Sequence, residues 1–405
     1  MTRIFCLLLI AQPLFAIDFH DPRALVASAI EKHPALVRLR AEAAALRERV
    51  AGSDALPNPM LMSGIQNKQI DLRDDDMMTM YMVGASQRFV RPGKRDARRE
   101  AAELEARAAE QQLDSARAGI ERDVLLAWYD VAAVDAQIAS AGEVRVMIDA
   151  ITDTARVRYE VGSSMQSDVI RAQLEASDLE HELITLRAAR RAALARLLTF
   201  LDLPLDTDVP LLTLPESTAA ASIEGAPTLR AGHPAIAALE TDVARAETEI
   251  RLAQLERKPD FDLEAQYGMR PRERDMLSVV ARVELPLRGD VTVEPRVREA
   301  ILRRDAARAR IHELRRSLTA ALRQAFVAHE DATNQLRFHR EVLVPQAQLA
   351  FESTLAAYQT GKTSFDAVLI TETDYLRLRL QYYDFVARHA QAIVTYDALQ
   401  KGATE

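Results

Sequence analysis

The chain of 405 residues holds one cysteine, Cys6, so it can form no internal disulfide and offers no cysteine cluster for a metal. Glycine is scarce, at 13 residues, and aromatic residues make up 5%, which argues against a β-rich globule with many tight turns. No run of about 18 apolar residues follows residue 16, so the sequence offers no transmembrane helix. The eight histidines include no pair spaced i, i+4, and no zinc site is assigned. A nucleophile elbow is missing as well. Gly361-Lys362-Thr363 fails as the end of a phosphate-binding loop, because Ala356 stands where the upstream glycine is required. These absences point away from an enzyme, and no cofactor is expected. The formal net charge of −8 is unsuited to nucleic-acid binding.

What is present begins with an export signal. Arg3, the apolar run Ile4 to Ile10 and Pro13-Leu14-Phe15-Ala16 have the plan of a secretory signal peptide over residues 1–16. Cleavage there would remove Cys6 and Arg3 and leave an exported acidic chain. Charged residues make up 28% of the sequence, and Ala, Leu, Arg and Glu are abundant, so long helices with solvated faces are expected.

The chain also reads twice. His33-Pro34 recurs as His233-Pro234, an offset of 200, Pro59 recurs as Pro259, and Tyr159-x-x-Gly162 recurs as Tyr358-x-x-Gly361, an offset of 199. A near-constant offset across unlike landmarks argues for duplication of a whole folding unit. The first repeat, 17–202, is expected to hold a helix from Pro22 to about Gly52, strands near 58–67 and 77–89, and a helical hairpin over about 96–201. Its seam is Ile120, Val124, Ala127, Val131, Val134, Ile138 and Ala141, spaced by fours and threes, on a helix roughly 90 Å long. The return stripe is Leu179, Leu183, Leu186, Ala193, Leu197 and Phe200. Residues 203–227 carry Pro204, Pro210, Pro215 and Pro227 and read as a linker. The second repeat, 228–405, is expected to hold strands near 260–269 and 276–287 and a helical hairpin over about 293–399, kinked or split at Pro345.

The clearest strand alternates Phe261, Leu263, Ala265, Tyr267 and Met269 with Asp260, Asp262, Glu264 and Gln266. A strict period of two with one apolar and one strongly polar face suits a strand between lipid and a watery lumen. Four strands cannot close a barrel, and an open edge in lipid leaves backbone groups unpaired, so several chains would have to share one barrel.

Together the signal, the duplicated unit, a hairpin in each unit and the long helical hairpins resemble the TolC family of outer-membrane efflux proteins. The resemblance rests on His33-Pro34-Ala35-Leu36, Pro57-Asn58-Pro59, Gln87-Arg88-Phe89 with Gly93-Lys94-Arg95, and Arg158-Tyr159-x-x-Gly162. It implies a mainly α fold with a small β part: a homotrimer with a 12-stranded outer-membrane barrel continued by a periplasmic α-helical tunnel. Its expected partners are outer-membrane lipid, a periplasmic adaptor (membrane fusion protein) and an inner-membrane pump of the resistance-nodulation-division (RND) class. The Gln87 to Arg95 stretch is most similar to the heavy-metal, CzcC/CusC-like subgroup, which implies efflux of metal cations. Export of drugs or proteins by the same architecture stays open. A soluble periplasmic coiled-coil scaffold or adaptor is a further alternative, which would leave the alternating strands without purpose.

The resemblance further implies that the adaptor docks at the helix-to-helix tips, which here are Arg158, Tyr159, Gly162, Tyr358, Gly361 and Lys362. It also implies a gate of acidic residues just after the second-tip glycine. Here Asp168 follows Gly162 by six residues, but Ala367 holds the matching place after Gly361, with Asp366 one position earlier. Asp168 and Asp366 are the gate candidates. From residue chemistry alone, Met60, Met62, Met77, Met78, Met80 and Met82 offer thioethers suited to Cu(I) or Ag(I). Their facing stays open, because aligning the hairpins by 197 or by 198 residues flips every side chain. Asp71, Asp74, Asp75 and Asp76 would line an extracellular loop and attract cations.

Overall fold

A computed structural model describes residues 18–68, 78–215, 223, 227–271 and 273–403. The expected signal peptide, Asp71, Asp74 to Asp76 and Met77 lie outside the described residues. The chain divides into two compact units. One comprises Met1–Val37, Ala116–Leu229 and Thr319–Glu405, and the other Arg38–Ser115 and Arg230–Leu318. This division cuts across the two sequence repeats, since each unit takes a part of both. The physical reason is pairing: strands from both repeats share one sheet, and helices from both share one core.

The sheet contains β1 (Met60–Gln66), β2 (Met80–Phe89), β3 (Phe261–Met269) and β4 (Met276–Val283) in the order β1-β2-β3-β4, all antiparallel. Strand β4 stops at Val283, short of the expected residue 287. Register fixes the faces that sequence left open. Tyr81, Val83, Ala85 and Phe89 lie with Leu263, Ala265, Tyr267, Met269, Leu277, Val279 and Val283 on a mainly apolar face, which Gln87 joins near its base opposite Leu263. Arg88, Ser86, Asp262, Glu264, Gln266, Ser278 and Arg282 share the opposite, polar face. Gly84 allows the central pairing, because a Cβ there would meet the Ala265 carbonyl oxygen of the neighbouring strand at 2.8 Å.

At the base of the sheet Asp260 accepts hydrogen bonds from Lys94 Nζ (3.0 Å) and from the backbone N–H of Arg91 (3.1 Å). Burial pushes the Asp260 carboxyl up, but these donors and the nearby Arg88 outweigh it and hold it below its ordinary value. This contact fixes the first turn of α3 (Pro92–Glu160) to the start of β3. Proline at the first helical position of α3 costs no hydrogen bond and sets the turn out of β2. In the same unit α5 (Pro234–Leu255) bonds α3 through Arg251 and Glu100, 2.5 Å. After the one-turn α6 (Gly289–Thr292), α7 (Glu294–Phe338) begins here and extends into the other unit.

The other unit is helical. The expected single helix from Pro22 breaks into α1 (Pro22–Lys32), which lies in this unit, and α2 (Pro34–Gly52), most of which belongs to the sheet-bearing unit, because Pro34 lacks an N–H and forces His33 into extended backbone (ψ 124°). His233, before Pro234, adopts the same conformation (ψ 126°). One core gathers Leu25 and Ala29 of α1, Val124, Ala127, Trp128 and Val131 of α3, and Leu194, Leu197 and Leu198 of α4 (Gln166–Phe200). The buried Trp128 indole donates to the Phe19 carbonyl (2.8 Å), so its polar edge is satisfied.

Segment 203–215 is no free linker. Val209 and Leu212 are buried in this core, and Asp135 of α3, 2% exposed, holds the segment there. Its carboxylate accepts from Arg190 Nε (2.5 Å) and from the backbone N–H of Leu212 (2.8 Å), while Arg190 also donates to the carbonyls of Val209 and Pro210. One stretch of α3 reaches a mean hydropathy of 1.2 over 18 residues with at most two charges, but half of it is buried inside the protein, as core helices are.

A second core joins Ala141, Val144, Ile148 and Ile151 of α3, Ala172 and Leu179 of α4, Phe351 and Tyr358 of α8 (Val344–Gln359), and Val368 and Tyr375 of α9 (Phe365–Lys401). Pro345 splits the long helix as expected, through a π-helical segment at His339–Leu343 that absorbs the missing hydrogen bond before α8 starts.

Candidate functional site

The two tips, between α3 and α4 and between α8 and α9, use the same cap. Gly162 and Gly361 take φ of +73° and +72°, a left-handed conformation that glycine adopts without steric cost. Ser163 N–H bonds to Arg158 O and Gly162 N–H to Tyr159 O, and Lys362 to Ala357 and Gly361 to Tyr358 repeat that pattern, a Schellman motif. The turn therefore follows from local chemistry in both copies.

The tip candidates separate by exposure. Tyr159 is 45% exposed, and Val161 and Met165, which sequence reasoning did not single out, are 71% and 74% exposed. Lys362 is also exposed. Tyr358 is 3% exposed and packs edge-on against Phe365, so it is a core residue rather than a side chain free to engage a partner. Burial, and then the carboxylate of Asp168, push its hydroxyl up. Arg158 is also engaged. Its guanidinium donates to the carbonyls of Tyr358 (2.5 Å) and Gln359 (3.1 Å) and lies 4.8 Å above the Tyr358 ring. It thus caps the C-terminus of α8 and ties one tip to the other. The second repeat has Ala357 in its place, so this cap exists once per chain.

Asp168 and Asp366 each stand in the first turn of a helix, α4 and α9, where a carboxylate is favoured by the helix dipole. Asp366 forms an ion pair with Arg171 of α4, a partner that the sequence did not suggest. Sequence reasoning also missed Glu372. Phe365, Val368, Glu372 and Tyr375 follow the three-four spacing of a seam, so a carboxyl inside an apolar stripe was the available signal. Glu372 is 1% exposed, neither of its oxygens has a donor among the described residues, and the Glu175 carboxyl of α4 faces it.

Register settles the facing of the methionines. Met62 lies opposite Gly84, Met80 opposite Gln66, Met82 opposite Gly64 and Gly268, and Met60 opposite Ser86, all on the polar face. Met276, opposite Gly268, joins them from the second repeat. Gln266 donates to the Met62 sulfur at 3.5 Å. Met78 lies outside the strands and is exposed. Among the described residues no group of three or more histidine, cysteine or acidic side chains is placed to hold a metal ion.

The sequence profile of the outer membrane efflux proteins matches residues 25–201 and 226–399, and the chain belongs to that family. No curated protein sequence matches it. Among solved structures, the outer membrane protein VceC of Vibrio cholerae is 18% identical with a TM-score of 0.77, covering 95% of this chain and 97% of its own. The outer membrane channel MtrE of Neisseria gonorrhoeae, in its open state, is 15% identical with a TM-score of 0.78, covering 95% and 89%. CusC is 16% identical with a TM-score of 0.74, covering 95% and 92%. MtrE is an outer membrane channel, CusC forms a transmembrane channel and VceC is an outer membrane protein. At such identities they establish a common fold.

Proposed function

We propose that the chain is the outer-membrane channel of a tripartite efflux system in a Gram-negative bacterium, a passive conduit for substrates delivered by an inner-membrane RND pump and a periplasmic adaptor. The observation that carries this reading is the sheet. Its apolar face suits lipid and its polar face suits an aqueous lumen, yet β1 and β4 each pair on one side within the chain. Unpaired strand edges in hydrocarbon cost several kcal/mol per group, so the sheet needs partners. Three copies, each built from a duplicated unit, would close a 12-stranded barrel from three four-stranded sheets. Membrane fractionation tests this: the protein should resist carbonate and high salt and run as a detergent-stable trimer. Release without detergent, or a monomer in detergent, would refute it.

The helical hairpins then extend into the periplasm. The adaptor docks at the tips through the exposed Tyr159 and Lys362 beside Gly162 and Gly361, with Arg158 and Tyr358 shaping the surface from within. Asp168 and Asp366 serve as gate residues, the latter held by Arg171. Heavy-metal cations are the cargo this chain favours, and the methionines on the lumen-facing side support it, because thioethers suit soft cations such as Cu(I) and Ag(I). Replacing Met62, Met80 and Met82 by leucine should lower copper or silver tolerance of a strain dependent on this channel. Unchanged tolerance with normal assembly would sink the metal reading and leave the channel reading intact.

A further inference from the structure

We propose that Glu372 and Glu175 share one proton across the contact between α4 and α9, and that this proton holds the two helical hairpins together near their tips. Glu175 belongs to the hairpin of α3 and α4, Glu372 to the hairpin of α8 and α9. Each occupies a seam position: Glu175 lies between Ala172 and Leu179, and Glu372 between Val368 and Tyr375, all four of which are buried. Seam positions normally carry apolar residues, so a carboxyl in both facing seams is a mismatch that needs a physical resolution.

Ionised together, the two carboxyls would repel, Glu372 buried and Glu175 half-buried beside it, and Glu372 would have no donor for either oxygen among the described residues. One shared proton removes the repulsion and supplies the missing donor, as in other close carboxyl pairs. The cations on the surrounding helices do not intervene. Arg171 of α4 is held by Asp366, Arg145 of α3 by Asp149 and Glu180, and Arg379 of α9 by Glu143. From α8 the core receives Phe351, Leu355 and Tyr358. Burial first, and then Glu175, push the Glu372 carboxyl from 4.5 up to about 8, with no cation offsetting them.

The direction of the pH effect follows. A carboxyl raised in the closed contact and ordinary in the separated one binds its proton more tightly when the hairpins touch. The stabilisation is complete below the ordinary value, declines by up to about tenfold per pH unit above it, and is gone once the pH passes the raised value. Alkaline conditions therefore loosen the contact, and neutral or acidic ones fasten it.

Hydrogen exchange of the purified, detergent-solubilised protein at pH 6.0 and 8.5, corrected for intrinsic exchange rates, reads the contact directly. Amides of 169–179 and 366–376 should lose at least tenfold protection at the higher pH. Glu372→Gln keeps the shape, donates to the Glu175 carboxylate and carries no titratable proton, so its protection should differ less than twofold between the two pH values. Glu175→Gln should move the loss to lower pH. A pH-independent wild type, or a Glu372→Gln variant with the wild-type profile, would overturn the proposal. Should Glu372→Gln fail to fold, Glu175→Gln and the wild-type profile decide it. The inference rests on the channel reading only for its consequence in gating: open probability in planar bilayers should rise with pH for the wild type alone. Exchange data with the expected pattern but no conductance would keep the proton and refute the channel.

Discussion

Replacing Asp135 by alanine is expected to free the segment 203–215 from the helical core. In the native protein one buried carboxylate serves three groups: Arg190 Nε at 2.5 Å, Arg190 Nη2 at 3.5 Å and the Leu212 N–H at 2.8 Å. Removing it leaves Arg190 with the carbonyls of Val209 and Pro210 alone and the Leu212 N–H with no acceptor. Breaking a fully buried pair typically costs about 3–5 kcal/mol. The Arg190 side chain keeps 19% of its exposure, which places the cost at the low end, about 3 kcal/mol. At 1.4 kcal/mol per decade this raises local opening by about 100-fold. Limited proteolysis at low protease concentration, where cleavage follows the open population, should then cut the segment about 100-fold faster. Asp135→Asn keeps an acceptor for Leu212 and should fall between the two. Cleavage of the alanine variant within threefold of wild type would refute the assignment of Asp135 as the anchor.

Three further outcomes are expected. Gly162→Ala and Gly361→Ala should each destabilise by about 1–2 kcal/mol, because alanine is strained at positive φ, and should lower the thermal midpoint while Gly162→Asn lowers it less. Gly84→Ala should reduce the folded protein in the outer-membrane fraction, since its Cβ meets the Ala265 carbonyl oxygen at 2.8 Å; Gly268→Ala meets the flexible Met80 side chain instead and should be tolerated, as quantitative blotting of membrane fractions can test. Arg158→Ala removes two charge-assisted bonds to the α8 carbonyls and should lower the thermal midpoint, and Arg158→Lys should restore part of the loss.

Where the signal was local, it could be read from the sequence. The period of two in Phe261 to Met269, the three-four seam around Val124 to Ala141 and the tip glycines each depend on the side chains of a short stretch, and the structure contains the strand, the helix and the caps they imply. Proline acted locally too: Pro34 broke a helix expected to be continuous, a misreading that the missing N–H at Pro34 could have prevented. The tip side chains were less legible. Arg158 and Tyr358 look like free flanking residues in sequence, because Arg158 reaches a tip about 200 residues away and Tyr358 turns inward onto Phe365 only once its own tip has folded back.

The sequence by itself determined that this is a largely helical chain with alternating strands, glycine tips and no enzyme motif, because propensity, period and turn chemistry are properties of neighbouring residues. Only the tertiary structure decided that Met60, Met62, Met80, Met82 and Met276 share one face, that Asp135 fastens the segment after α4, and that Glu372 meets Glu175. The reason is register. A shift of one residue turns a strand over, and a helix seam names no partner until another helix packs against it, so these pairings exist only once distant parts of the chain have met.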